Sequence, residues 1–372
     1  MDWITLMETL GEQHLLAAGG LLIGLFFGYL AQRSRFCLRS AVIEVSRGVL
    51  GVKLAVWLFA FSAALVASQA MMLSGNLDVS SARQLTARGS LSGAAIGGLL
   101  FGIGMVLARG CASRLLVLAA NGNLRALLSG LVFAVTAQSA LDGVLAPLRE
   151  AISSWWTIEG TARDMLAWVG AGHLGGLVFG VAWLALAVAL AIRHRLSLWG
   201  WLGSIGVGLM VAAGWWFTFQ MSVRAFEPIG VQSLSFTGPS AGLLMRVLTP
   251  PDQTWNFDLG LVPGVFLGSF IAAWMARELK LEGFQGGASM RRYIAGALCM
   301  GMGGMLAGGC AVGAGVSGAA VFTVTAWVTL ASMWLGAGLT DWLVDRRGLA
   351  DADPATPSLP MVGLEPVPET PT

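Results

Sequence analysis

The stretch Gly97–Ala112 reads GGLLFGIGMVLARGCA, and a related stretch, Gly296–Ala311, reads GALCMGMGGMLAGGCA. Nine of the sixteen positions are identical at a constant offset of 199, including the final Gly-Cys-Ala. Helices rich in glycine and alanine resemble one another by composition, but here the cysteine also falls in register. A weaker match at offset 200 relates Phe36–Ala41 to Phe236–Ala241, and composition explains that one equally well. The longer match predicts a chain built from two related halves.

The composition is that of a membrane protein. Hydrophobic residues make up 56% of the 372 residues and charged residues only 11%, whereas globular domains carry about 25% charged residues. The 51 glycines and 15 tryptophans agree with this assignment, because glycine is enriched in membrane helices and tryptophan at their interfaces. A net charge of +2 indicates no polyanionic partner. The chain also lacks a GxxxxGK[ST] motif, so we do not expect ATP to drive it directly.

Nine apolar stretches approach the length of about 20 residues that a membrane-spanning helix needs. They cover residues 14–32, 49–73, 91–108, 124–141, 168–192, 199–219, 259–277, 293–308 and 323–341. Four semi-apolar segments are too short to span and cover residues 36–46, 112–121, 238–248 and 313–320. We therefore predict an all-α polytopic membrane protein with about nine transmembrane helices plus short re-entrant helices.

The distribution of Lys and Arg predicts the orientation, because these residues accumulate on the cytoplasmic side. With the N-terminus outside, nine spans place sixteen of them inside and six outside. We expect no cleavable signal, since the N-terminus carries Asp2, Glu8 and Glu12 instead of a basic segment. The predicted location is the bacterial cytoplasmic (inner) membrane, with the C-terminus in the cytoplasm.

The two matched stretches fall in the third and eighth predicted spans, which cross the membrane in opposite directions. This predicts an inverted repeat, an architecture typical of transporters whose substrate sites lie near the midplane on interrupted helices. The predicted organisation has an extracytoplasmic N-terminus (1–13), a first repeat (14–141), a connecting helix (168–192), a second repeat (199–341) and a disordered cytoplasmic tail (350–372).

The Gly-Cys-Ala segments are the candidate functional elements. We expect Gly110 and Gly309 to break their helices, so that the next short segments begin near Ala112 and Ala311. Amide groups at such helix starts attract anions without a fixed charge. The thiols of Cys111 and Cys310 would add weak hydrogen-bond donors, which suits passage because a conducted ion must also be released.

Two further positions extend this candidate path. Cys37 opens the short segment 36–46, and Thr237 occupies the equivalent position in the second half. Cys299 stands opposite Leu100 in the repeat and is interpreted as a packing residue. The four dispersed cysteines and three histidines include no C-x-x-C, so we expect neither a metal site nor a cofactor.

Three segments give the chain its resemblance to a known family: Gln32–Cys37 (QRSRFC), Arg109–Arg114 (RGCASR) and Gly308–Gly313 (GGCAVG). Together they resemble the YeeE/YedE family of sulfur-transport membrane proteins, over nearly the whole chain. The resemblance implies a nine-span fold with an inverted pseudo-twofold arrangement, and thiosulfate passage along Cys37, Cys111 and Cys310. It also implies a TusA-like sulfur-carrier protein as a cytoplasmic partner.

Three functions remain open from the residues. The first is a permease for thiosulfate or a related sulfur anion. The second is a membrane thiol sulfurtransferase or redox protein that carries sulfur on a cysteine thiolate; the lack of a histidine near the Gly-Cys-Ala segments argues against such an enzyme. The third is a structural membrane subunit whose cysteines are packing residues.

Overall fold

The computed structural model describes residues 11–80, 82, 89–226, 228–249, 255–284 and 286–346. Most of the predicted extracytoplasmic N-terminus and all of the predicted tail, 350–372, lie outside the described residues. The same holds for Arg83 and Arg88, two of the six basic residues assigned to the outer side.

The described chain is almost entirely helical. The long helices are α1 (Glu12–Ser34), α3 (Val52–Leu73), α4 (Leu91–Leu107), α6 (Leu124–Leu141), α9 (Gly172–Arg193), α10 (Leu198–Arg224), α12 (Phe257–Met275), α13 (Gly287–Leu306) and α14 (Val324–Thr340). The shorter ones are α2 (Leu38–Ser46), α5 (Ala112–Ala120), α7 (Ala146–Ser154), α8 (Met165–Val169) and α11 (Thr237–Leu248). A 3₁₀ turn covers Gly160–Arg163, and π-helical segments cover Gly313–Gly318 and Asp341–Arg346. Two-residue strands, β1 (Gly89–Ser90) and β2 (Thr157–Ile158), pair antiparallel.

Each of the nine predicted spans coincides with one of the long helices, and each of the four short segments with a short helix or π-helical turn. Within the described residues, seven helical stretches are long and apolar enough to cross a membrane. The protein is therefore a multi-pass helical membrane protein.

Helix boundaries follow local capping chemistry. Ser90, Asn123 and Asn256 each begin a long helix by accepting a hydrogen bond from the amide three residues later, which satisfies one free donor of the first turn. Four helix ends are followed by an arginine in the left-handed conformation: Arg35, Arg109, Arg195 and Arg277. A positive side chain beside the negative end of a helix is favourable.

The closest helix pair, α1 and α12, is joined by glycines at every fourth position. These glycines are Gly20, Gly24 and Gly28 on α1, and Gly260, Gly264 and Gly268 on α12. A Cβ added at any of the six would lie 1.9–2.4 Å from a carbonyl oxygen of the opposing helix. Only glycine permits this approach, as is common where small residues line the contact between membrane helices.

The matched stretches pack directly against each other in the centre of the bundle. A Cβ added at Gly104 on α4 would lie 2.5 Å from the carbonyl oxygen of Gly296 on α13, and one added at Gly97 would lie 2.6 Å from that of Gly303. Helix α4 also contacts α14 through Gly98. These contacts place the two Gly-Cys-Ala segments at opposite ends of the helix pair formed by α4 and α13.

Candidate substrate path

The three predicted path cysteines share one local geometry. Cys37 and Cys111 are the N-cap residues of α2 and α5, and Cys310 precedes the π-helical turn 313–318. Each cysteine carbonyl accepts a hydrogen bond from the amide four residues later, at 3.4, 2.9 and 2.8 Å respectively. The sulfur of Cys310 also accepts a hydrogen bond from the amide three residues later, whereas the sulfurs of Cys37 and Cys111 accept no capping hydrogen bond from their helices. Every one of these thiols therefore lies at the start of a helical turn and beside its free amides.

The backbone before two of these cysteines differs from the prediction by one residue. The left-handed residues after these helices are Arg109 and Gly308, each one position before Gly110 and Gly309, the residues expected to break the helices. Gly309 nevertheless allows a close approach, since a Cβ there would lie 2.9 Å from the amide nitrogen of Ala314. The helix ends one residue earlier because the left-handed residue supplies the amide that closes the last turn.

Cys37 and Cys111 form a buried thiol pair in which the side chains interact with each other. The Cys111 sulfur also lies 3.4 Å from the hydroxyl oxygen of Ser113. The Arg114 guanidinium is close enough to interact electrostatically with both thiols, and its Nη1 is buried without a hydrogen-bond partner among the described residues. The pair thus combines two weak donors with an adjacent positive charge.

Cys310 is equally buried but stands apart from this pair. Its sulfur accepts a hydrogen bond from the Gly313 amide at 3.4 Å and, within the described ranges, forms none with the other two cysteines. Thr237, the predicted counterpart of Cys37, begins α11 and packs against Gly304 of α13. Its buried hydroxyl has no hydrogen-bond partner in the described part of the chain. Cys299 is half-buried on α13.

A cavity of about 370 Å³ opens beside Cys310. Its wall includes Gly309 and Gly313, which flank Cys310 in the chain, together with Thr237. The charged side chains in the wall are Arg149, Arg163 and Asp258. Two positive charges against one negative charge give the cavity an excess of positive charge. It is large enough for a small oxyanion and reaches the backbone on both sides of Cys310.

A cluster of arginines lies beyond Cys37. It is at the ends of α4 and α13 that are opposite to Cys310. Arg39 is two residues from Cys37 and interacts electrostatically with Cys37, Arg109 and Arg292. The carboxylate of Asp345 bridges two of these cations, with its Oδ1 2.6 Å from Arg292 and its Oδ2 3.8 Å from Arg39. The described residues contain no group of three metal-ligating side chains that could hold an ion.

Several of these charged residues were not identified as site residues from the sequence. In the sequence, Arg149 and Arg163 contribute only to the charge bias, and no motif marks Asp345 as a site residue. No local pattern singles them out, because Arg149 lies on α7 and Arg163 in a 3₁₀ turn, both between predicted spans. Only their position around the cavity distinguishes them from other loop arginines.

Comparison with known proteins identifies the family. A family model described as sulphur transport matches residues 33–339. The chain belongs to this family. All three path cysteines and the Gly-Cys-Ala repeats fall within the matched range, and the YeeE/YedE resemblance predicted from the sequence is confirmed.

Two curated relatives are similar to this sulphur transport protein over nearly their whole length. The thiosulfate transporter TsuA of Escherichia coli (strain K12) is 27% identical over 357 residues, which cover 91% of this chain and 97% of the relative. The thiosulfate transporter TsuA of Spirochaeta thermophila is 28% identical over 345 residues, covering 88% and 99% respectively.

Proposed function

We propose that this sulphur transport protein takes up thiosulfate, or a closely related sulfur-containing anion, along a path formed by Cys310, Cys111 and Cys37. Both curated relatives are named thiosulfate transporters. The observation that carries the proposal is the shared cysteine geometry, in which each thiol stands at the start of a helical turn, beside the amides of that first turn. Such positions stabilise an anion without holding it by a fixed charge.

In this proposal the cavity beside Cys310 is the entrance. Its excess of positive charge attracts a dianion, because a cleft lined mainly by one sign of charge raises the local concentration of the opposite ion. Thr237 offers a buried hydroxyl without a partner among the described residues, in the wall that the anion would pass. Gly110, Ala112, Gly309 and Ala311 have no side chain or only a methyl group, so that backbone rather than a bulky side chain adjoins Cys111 and Cys310 in the chain.

The thiols then act as successive weak donors. A neutral S–H donates a weak hydrogen bond, so the anion can leave Cys310, contact Cys111 and Cys37, and be released. Arg114, which interacts with both inner thiols, draws the anion from the entrance towards the inner pair. A charged side chain directly on the path would bind more tightly and slow release.

The proposed architecture has nine spans in two inverted repeats, joined by α9. The order long–short–long–long–short–long describes both α1 to α6 and α10 to α14 when the turn Gly313–Gly318 is counted as a short element. The offset of 200, which is that of the weaker sequence match, also relates two tight turns, since Gly122 and Phe322 are left-handed and each precedes the residue that begins a long helix. These similarities support 14–141 and 199–341 as the repeats.

The proposed location is the inner membrane, with the N-terminus outside and the C-terminus in the cytoplasm. This orientation places the entrance cavity on the outer side and the arginine cluster beyond Cys37 inside. A TusA-like sulfur-carrier protein is the proposed cytoplasmic partner.

Uptake of ³⁵S-labelled thiosulfate into proteoliposomes tests the proposal. Cys111→Ala and Cys310→Ala should each lower uptake about tenfold or more, because a hydrogen bond to a charged group contributes about 1.5–3 kcal/mol. Serine at either position should retain more uptake than alanine, since it still offers a donor. Cys299→Ala is the matched control, and its uptake should equal that of the wild type. Equal uptake by a variant with all three path cysteines replaced by alanine would refute the thiol path.

Mass spectrometry separates transport from the sulfurtransferase alternative. A carrier mechanism through a persulfide would leave a sulfur adduct on a cysteine after exposure to thiosulfate. Passage through hydrogen bonds leaves the thiols unmodified, and this is the expected result. An adduct on Cys37, Cys111 or Cys310 that forms at the rate of uptake would favour the enzyme.

A further inference from the structure

The arginine cluster beyond Cys37 has the features of an anion site. Arg39, Arg109 and Arg292 are close enough to interact electrostatically, and Asp345 is the carboxylate that bridges two of them. The side chains of Arg39 and Arg292 are about four-fifths buried, with exposures of 20% and 24%. Each has a buried Nε without a hydrogen-bond partner among the residues that the structure describes. Donor capacity therefore exceeds what Asp345 uses.

Asp345 is held in place by the turn that carries it. Four residues earlier in the same π-helical segment, Asp341 is fully buried and accepts two hydrogen bonds from Arg47, at 2.7 and 3.1 Å. Arg47 follows the last residue of α2, while Arg39 lies in its first turn. Asp341 thus anchors the segment Asp341–Arg346 at the C-terminal end of α2. The second carboxylate of the segment, that of Asp345, extends towards the N-terminal end of α2, where Cys37 lies.

We propose that Arg39 and Arg292 form a binding site for a doubly charged sulfur oxyanion at the inner end of the path, and that Asp345 is a tethered competitor that keeps this site from retaining the anion. The inference rests on the proposed thiol path, because it identifies Cys37 as the step before the site. An anion leaving Cys37 meets Arg39 first, displaces the Asp345 carboxylate, and is expelled when the carboxylate returns.

The physical basis is competition for the same donors. Guanidinium groups bind carboxylates and tetrahedral oxyanions through the same forked N–H geometry. A tethered group competes at a high effective concentration set by its short linkage, so it weakens net binding of the free anion. Release must be rapid for conduction, and a site with two arginines and no competitor would hold a dianion too long.

Removal of the competitor is the central test, using the full chain purified in detergent. Asp345→Asn should tighten equilibrium binding of ³⁵S-thiosulfate about tenfold at low salt. In proteoliposomes the same variant should lower both KM and kcat for uptake, because the anion binds more tightly and leaves more slowly. Asp345→Ser, which removes the same charge with a smaller side chain, should give the same tightening. If Asp345 had only a structural role, these substitutions would lower kcat without lowering KM.

Two further variants test whether the tighter thiosulfate binding depends on Arg39 and is specific to the loss of the Asp345 carboxylate. Adding Arg39→Gln to Asp345→Asn should return thiosulfate affinity to the wild-type value. Asp341→Asn removes the other carboxylate of the same turn and should lower the melting temperature without tightening thiosulfate binding. Unchanged affinity in Asp345→Asn and Asp345→Ser, or tightening that survives Arg39→Gln, would overturn the proposal.

The experiments distinguish a failure of this proposal from a failure of the transport proposal on which it rests. If wild-type proteoliposomes take up no thiosulfate but Asp345→Asn still tightens binding, the transport proposal fails and the inner anion site stands. If uptake is normal and binding is unaffected by Asp345→Asn, the thiol path stands and the tethered competitor does not.

Discussion

The substitution Gly268→Ala tests whether the glycine contacts between α1 and α12 hold the bundle together. The added Cβ would lie 1.9 Å from the carbonyl oxygen of Leu25 and 2.7 Å from its carbonyl carbon. A carbon–oxygen contact of this kind is normally about 3.3 Å or longer, so the helices must separate by roughly 1.4 Å at this point. Backbone on both sides prevents a local adjustment. The separation would also loosen the neighbouring glycine contacts along the pair.

The expected cost follows from two opposing contributions. Overpacking of a close contact costs about 1–3 kcal/mol, and the short distance places Gly268→Ala at the upper end. Alanine favours a helix over glycine by about 1 kcal/mol, which leaves a net loss of roughly 2 kcal/mol in the free energy of unfolding. Gly130→Ala on α6 is the matched control, because an added Cβ there meets no atom within 4 Å; it should be neutral or slightly stabilising.

Unfolding of the purified protein by denaturant in detergent measures both variants under the same conditions. The prediction is a clear loss of unfolding free energy for Gly268→Ala and none for Gly130→Ala. The reasoning is refuted if Gly268→Ala is as stable as the wild type, or if both substitutions destabilise the protein to the same extent.

Three other predictions concern charge and the cavity. Arg149→Gln should reduce thiosulfate uptake several-fold at low salt, and the difference from the wild type should be smaller at high salt because salt screens the attraction. Arg224 lies outside the cavity wall, so Arg224→Gln should leave uptake unchanged. Thr237→Val should lower uptake without lowering the melting temperature, since it removes a buried hydroxyl that lacks a partner in the described residues. Unchanged uptake would contradict a role of Thr237 in the path. Asp341 is fully buried and accepts two hydrogen bonds from Arg47. Asp341→Asn should therefore lower the melting temperature, because it leaves a cation without its buried partner; a melting temperature equal to that of the wild type would contradict this anchoring role.

Much of the fold could be predicted because its signals are local. Each of the nine apolar stretches coincides with a helix, since hydrocarbon length and internal backbone hydrogen bonding leave a membrane chain few alternatives. The short helical segments and the cysteines at their starts were also predicted, because glycine and the Gly-Cys-Ala register mark them. The helix breaks were expected at Gly110 and Gly309, but the left-handed residues are Arg109 and Gly308, one position earlier, since helix ends are decided by hydrogen bonds that the sequence pattern does not specify.

By itself the sequence determined a helical membrane protein with two matched segments, and it picked out the cysteines at their ends. Only the tertiary structure decided which side chains share a space. Arg149 and Arg163 join Thr237 around one cavity, although α7, a 3₁₀ turn and α11 are far apart in the chain. Asp345 reaches Arg39 across about 300 residues, a separation that no periodicity encodes. Such pairs form because packing brings helix ends together and buried charges need partners, and both conditions exist only in the folded chain.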